Sequence, residues 1–184
     1  KVEIAGESEL IDESMLDLSK MLLLAIVFIY LIMVAQFQSL LSPFIVMFTI
    51  PLAFTGGLAA LVFTGNEISL IAMLGFLVLG GVVVNNGIVF VDFANQLRAD
   101  GLNTIEALIL AGKTRLKPIL MTAITTILGL STTSIGVGMG AEMIQPLAIV
   151  IIGGLTYATI LTLIVIPVMY LAFHKDKPAS EGVK

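Results

Sequence analysis

The chain has 184 residues, of which 58% are hydrophobic and only 12% charged, with a mean hydropathy of +1.11 and a formal net charge of −4. A water-soluble domain covers itself with charged side chains, and this composition supplies too few to do so. The absence of cysteine excludes disulfides and thiolate metal sites.

The charges fall in blocks. None occurs from Met21 to Asn66, Ile68 to Val91, Pro118 to Ala141 or Met143 to Phe173. About 20 apolar residues cross the roughly 30 Å hydrocarbon core of a bilayer. The first run therefore accommodates two spans and each of the others one. The predicted fold is an all-α polytopic membrane protein with five transmembrane helices, at about 20–36, 43–64, 69–93, 117–135 and 146–173. Residues 1–19 precede this 20–173 domain, and a polar tail, 174–184, follows it.

Lys1 to Ala5 alternates polar and apolar residues, which predicts the end of a half-buried strand. With no leading methionine or signal peptide, that segment reads as the exit from a severed extracytoplasmic domain of a longer protein. Gly6 breaks the strand, and Ser8 is placed to cap a helix with Ile11, Met15, Leu18 and Leu22 on one face. That helix leads into the first span. Gln36, Gln38, Ser39 and Ser42 form a short polar break before Pro43 opens the second span, whose middle is interrupted by Pro51 and Gly56-Gly57. Asn66 and Glu67 form a tight turn.

The third span carries the central stretch of the sequence, Gly80-Gly81-Val-Val-Val-Asn85-Asn86-Gly-Ile-Val-Phe-Val-Asp92-Phe-Ala-Asn95. Two amides and a carboxylate sit in an otherwise apolar helix, where polar groups mark helix contacts or ion pathways. Asn85 and Asp92 are seven residues apart, which puts them on one face about 10 Å apart along the axis. Gly81 on that face would admit a neighbouring backbone. Asn103, with Glu106 three residues on, caps a short amphipathic helix through Ala111 that is expected to lie on the cytoplasmic membrane surface. Arg115-Leu-Lys-Pro118 leads into the fourth span, with a stripe of Thr122, Thr125, Thr126, Gly129, Thr132 and Thr133. By depth, Asn85 and Asn86 are expected opposite Thr125 and Thr126, with Thr122 nearer the surface. Gly136, Gly138 and Gly140 form a turn before the last span.

Arg98, Lys113, Arg115 and Lys117 lie between spans three and four, and Lys175, Lys177 and Lys184 lie in the tail. The connections after spans two and four carry neither Lys nor Arg. The positive-inside rule then puts the N-terminus outside and the C-terminus in the cytoplasm. Asparagine does not titrate, so Asn85 and Asn86 can orient a proton carrier but not be one. The plainer reading makes the Asn and Thr residues interhelical glue, and Asp92 an interfacial anchor or a partner of Arg98 or Arg115. Glu142 and His174 read as solvated. No phosphate loop, metal-ligand set or nucleophile triad occurs, so neither an enzyme nor a metal site is expected.

Three motifs together, Asn85-Asn86-Gly-Ile-Val-Phe-Val-Asp-Phe-Ala-Asn95, Arg115-Leu-Lys-Pro-Ile-Leu-Met-Thr122 and Gly153-Gly154 through Ile166-Pro167-Val168, resemble the resistance–nodulation–division (RND) exporters. The likeness covers the last five of that family's twelve spans. It implies a proton-driven exporter of hydrophobic or amphiphilic compounds in the bacterial cytoplasmic (inner) membrane, with the proton gradient in place of a cofactor. It further implies a missing N-terminal half, a homotrimer, a periplasmic adaptor and outer-membrane channel, contact with membrane lipids, and no nucleic acid. The implied relay residues are Asn85, Asn86, Thr122, Arg115 and Asp92. Thr122 and Arg115 match the family's relay threonine and arginine, whereas Asn85 stands where a lysine is usual. An amide offers hydrogen bonds but no charge, so acids of the missing half are expected to hold their protons to higher pH opposite Asn85. A membrane helper for protein translocation, a sterol-sensing relative and a non-coupling scaffold are the alternatives that share this span architecture.

Overall fold

The computed structural model describes residues 2–136 and 140–173, with side chains from Glu9 onward. The described chain is helical: α1 (Val2–Phe37), α2 (Leu41–Met47), α3 (Thr49–Thr64), α4 (Leu70–Ala99), α5 (Thr104–Ser134) and α6 (Ala141–Phe173). Five stretches are long and apolar enough to cross a membrane, α2 and α3 together making one of them. The structure thus has the five expected spans.

The breaks have local causes. After Phe37 the chain turns through Gln38, a non-glycine residue in the left-handed region at φ 48. Pro51 has no N–H to offer the Met47 carbonyl, and the second span is interrupted one turn earlier, at Phe48. Gly65 ends α3 at φ 70, its own N–H donating to Val62 O at 3.2 Å and that of Asn66 to Leu61 O at 3.0 Å. This is the Schellman pattern, which glycine adopts without a Cβ penalty. Ser69 and Asn103 cap α4 and α5, their side-chain oxygens accepting from Ala72 N–H at 3.2 Å and Glu106 N–H at 2.8 Å.

Two expectations fail. Val2 to Ala5 is the first turn of α1 rather than a strand, and the helix passes through Gly6 without a break. The surface helix at Asn103 to Ala111 has no separate existence, because α5 runs on through Pro118 to Ser134. Of the apolar side assigned to the membrane surface, Leu108 and Ala111 are packed inside the bundle, while Ile105 and Ile109 are exposed. Residues 137–139 and the tail 174–184, including His174, lie outside the described residues.

The spans pack around α4 and α6. One core joins Met33 of α1, Ile45 and Val46 of α2, Val84, Phe90 and Val91 of α4, Leu108 and Ile119 of α5 and Ile166 and Tyr170 of α6. A second joins Ala53 and Leu61 of α3, Phe76 and Leu79 of α4, Ala123 of α5 and Val150 and Leu155 of α6. Between α3 and α6 the backbones are nearly in contact. A Cβ on Gly56 would stand 3.0 Å from Gly153 O, one on Gly153 3.0 Å from Gly56 O, and one on Gly154 2.9 Å from Ala53 O. The paired glycines form a close-packing seam of the kind that holds membrane helices together. Gly81, by contrast, has nothing within 4 Å of a Cβ position, so no backbone of the described residues approaches there. Gly154→Ala should lower stability by about 1–3 kcal/mol through overpacking, whereas Gly112→Ala, with nothing within 4 Å of its Cβ position, should not lower it. Thermal unfolding of the full-length protein in detergent reads the difference, and equal melting temperatures for the two variants would contradict the seam.

Candidate functional site

The polar residues of α4 separate by exposure. Asn86 is 9% exposed and faces the bundle, while Asn85, the next residue, lies on the open face. The consecutive amides therefore serve two sides of one helix. Both line a small cavity of about 140 Å³ between α4 and α5, together with Val89, Pro118, Ile119 and Thr122. Asn85 also borders a second depression, of about 180 Å³, walled by Ile29, Ile32 and Met33 of α1 and by Gly81, Val84 and Ile88 of α4. Its amide thus sits in the open groove between α1 and α5.

The partner of the amides on α5 is Thr122. Thr125 and Thr126, expected at their depth, do not line the cavity. The threonine hydroxyls donate back along their own helix: Thr122 to Pro118 O at 2.8 Å and Ile119 O at 3.1 Å, Thr125 to Met121 O at 2.7 Å, and Thr126 to Thr122 O at 2.8 Å. Back-bonding satisfies the donor and leaves each hydroxyl oxygen as an acceptor. At Thr122 that acceptor borders the cavity holding Asn85 and Asn86. A polar niche of this volume has room for several water molecules. The two amides and the Thr122 oxygen share its lining with Val89, Pro118 and Ile119, and none of them carries a fixed charge.

Asp92 and Arg115 lie toward the end of the bundle that holds the α4–α5 connection, apart from the niche. Asp92 is half-buried and accepts a hydrogen bond from Gln96 Nε2 at 2.8 Å. It pairs with neither Arg98 nor Arg115, since among the described residues the one ion pair joins Lys20 to Asp17. The guanidinium of Arg115 lies 4.5 Å from the centre of the Phe93 ring, a cation–π arrangement. Its Nε is buried without a hydrogen-bond partner among the described residues. Of the five predicted residues, then, Asn85, Asn86 and Thr122 come together, and Asp92 and Arg115 do not join them.

A second polar group was not anticipated. Tyr170 of α6 is fully buried, and its hydroxyl donates to Asn95 Oδ1 on α4. Asn95 Nδ2 donates to Ser42 Oγ of α2 at 3.2 Å, and Arg98 Nη1 donates to the Tyr170 hydroxyl at 3.3 Å. Three spans are tied at one end by this network. A tyrosine in an otherwise apolar run facing an asparagine at the end of another span is the sequence signal for it. Tyr170→Phe should cost about 1–3 kcal/mol by stranding a buried amide oxygen, with a non-additive double mutant alongside Asn95→Ala. Additive losses in thermal unfolding would show that the two residues act separately.

A bundle of five apolar helices with a neutral polar niche between two of them defines a multi-pass helical membrane protein. Residues 1–174 match the AcrB/AcrD/AcrF family, and the chain belongs to that family of RND efflux transporters. It is 42% identical over 184 residues to the swarming motility protein SwrC of Bacillus subtilis, covering 98% of this chain and 18% of SwrC. It is 40% identical over 158 residues to the cobalt-zinc-cadmium resistance protein CzcA of Cupriavidus metallidurans, covering 85% of this chain and 15% of CzcA. The multidrug resistance protein MdtC of Erwinia tasmaniensis is 40% identical over 156 residues, 84% of this chain and 15% of MdtC. Among solved structures, the crystal structure of a heavy metal efflux pump superposes with a TM-score of 0.78 at 30% identity, over 90% of this chain and 16% of the pump. The chain spans less than a fifth of the length of these relatives.

Proposed function

We propose that these spans belong to the C-terminal transmembrane half of a proton-driven exporter of hydrophobic or amphiphilic compounds in the bacterial inner membrane. The reading is supported by membership of an efflux family and by the chemistry of the niche. The observation that carries it is the meeting of Asn85, Asn86 and Thr122 around one cavity inside a membrane-spanning bundle. In hydrocarbon such groups need partners, and here they frame a space that water or a partner side chain can enter.

The roles follow from the donor inventory. Each amide presents two N–H donors and an oxygen acceptor, and the Thr122 oxygen accepts. Together they can hold a water, or a carboxyl group contributed by the missing half, in either protonation state. Asn85 and Thr122, both exposed, are the groups that meet the other half, while Asn86 lies behind them. The drug-binding surfaces, the N-terminal half, the homotrimer, the adaptor and the outer-membrane channel belong to the whole protein, and the proton gradient serves in place of a cofactor. Orientation in this reading follows the Lys and Arg distribution, with the N-terminus outside. A second reading, export of metal cations, is favoured by the likeness to CzcA and to the heavy metal pump. The same niche would then couple protons to a different cargo.

Proton-driven transport by the reconstituted full-length protein tests the coupling role. Thr122→Val and Asn86→Leu should each reduce transport by about tenfold, the worth of one hydrogen bond in the coupled state. Thr125→Val, whose hydroxyl lies outside the niche, should leave transport unchanged. Equal rates for Thr122→Val and Thr125→Val would reduce the niche to helix packing. Running the assay with an amphiphilic dye and with Zn²⁺ separates the two cargo readings.

A further inference from the structure

At the end of the bundle away from the Tyr170 network, a cavity of about 390 Å³ opens between α3, α5 and α6. It is lateral, and it is separate from the niche. Phe63 of α3 and Ile149 and Ile152 of α6 supply its apolar wall, and Gly153 its floor. Its polar groups, Thr64, Asn66, Ser134 and Gln145, come from the helix ends. Ile152 lies seven residues beyond Gln145 in α6, so the apolar part extends about 10 Å further along the span than the polar rim. The shape is that of an amphiphile, with head at the membrane boundary and tail along the helices.

The rim chooses among heads. Asn66 Nδ2 donates to Thr64 Oγ1 at 3.0 Å, and Gln145 Nε2 donates to Ser134 O at 2.9 Å. Neither amide oxygen accepts a hydrogen bond from the described residues, so the spare capacity of the rim is weighted towards acceptors. The charged residues next to it in sequence are acidic: Glu142 lies one turn ahead of Gln145, and Glu67 follows Asn66 but lines a separate depression with Asp12 and Met143. No lysine or arginine occurs in residues 21–97 or 118–173 to receive an anionic head. A primary ammonium brings three N–H donors and a positive charge, whereas a choline head has no donor and a glycerol head adds no positive charge.

We infer that this groove binds a phospholipid of the ethanolamine type, its ammonium on the Asn66 and Gln145 amide oxygens and an acyl chain along Phe63, Ile149 and Ile152. Glu142, one turn from Gln145 in α6, adds a negative charge at the same helix end. The bilayer itself is the source of the ligand, and an acyl chain fills a lipid-facing groove that would otherwise be empty of partner atoms.

Photo-crosslinking of the full-length protein tests this. It is reconstituted in vesicles of phosphatidylcholine and phosphatidylglycerol, with a trace of a lipid whose acyl chain carries a diazirine. Three probes share that chain and differ only in an ethanolamine, choline or glycerol head. Sites are mapped by mass spectrometry, with Ile160 and Ile164 of α6, each 60% exposed, reporting contact with bulk lipid. The ethanolamine probe should label Phe63, Ile149 and Ile152 more than these controls, and about tenfold more than the other two probes do, the ratio expected of one charge-assisted hydrogen bond. Ile152→Phe, which fills the groove, and Gln145→Leu, which removes an acceptor, should each bring that labelling down to the control level. Groove labelling no greater than at Ile160 and Ile164, or equal labelling by the three probes, would overturn the inference. Both outcomes are read on the unsubstituted protein and do not depend on the variants folding.

Discussion

Helices in hydrocarbon gain nothing from burying apolar surface against each other rather than against lipid, so their association rests on close packing and on hydrogen bonds between them. In this bundle the closest packing is the α3–α6 seam, where Gly56 and Gly153 each lie against the other's carbonyl and Gly154 lies against that of Ala53. The seam also places α4. Leu79 covers Gly154, Gly75 lies against the Leu147 backbone, and Gly87 receives Val46 and Ile166. With α4 held on that side by α2, α3 and α6, its rotation is fixed. Asn86 is then turned inward, and Asn85 lies on the face left open between α1 and α5.

Polar groups are distributed along the bundle according to what they must do. At one end, Tyr170, Asn95, Ser42 and Arg98 bond to one another and clamp three spans. Midway, Asn85, Asn86 and Thr122 border one cavity with no hydrogen bond between them among the described residues, so their capacity remains for an incoming group. A fully satisfied network resists movement, whereas a partly satisfied one responds to what enters it. The clamp therefore gives α4 a fixed end from which the niche is presented. Arg115 lies between these regimes, its charge resting on the Phe93 ring while its Nε stays unpaired among the described residues.

The span count was legible because charge-free runs of sufficient length are a property of sequence alone. Helix ends were legible where a residue acts locally, as Asn103 does through its bond to Glu106 and Pro51 through its missing N–H. The N-terminal strand was misread because alternation over five residues is weak against the continuity of a long helix. The surface helix was misread because periodicity identifies an apolar side without identifying what covers it. Here Leu108 and Ala111 are covered by protein, not by headgroups. Gly81 and the Gly56-Gly57 pair show the same limit from opposite directions. Read alone, Gly81 suggested close approach and Gly56-Gly57 suggested interruption, but contact partners reverse both assignments. The pairing of the amides with Thr122 rather than Thr125 required the relative offset of two helices, which no single-helix pattern contains.

Asn85 is the residue for which the five spans are least self-sufficient. Its surroundings towards α1 are apolar: Ile29, Ile32 and Met33 border the depression it shares with them, and Ile32 is 64% exposed. Lipid can satisfy those side chains but not a carboxamide, whose donors and acceptor need partners that acyl chains lack. An isolated packing residue would be served by a position such as that of Asn86, where the cavity and α5 are within reach. An amide facing outward from the same niche instead gives the buried hydrogen-bonding space an exit towards whatever packs in the α1–α5 groove. Because the amide is neutral, it admits a charged or an uncharged partner at that exit without itself enforcing either state. The coupling role proposed for Asn85 calls for this freedom, and a simple helix contact does not.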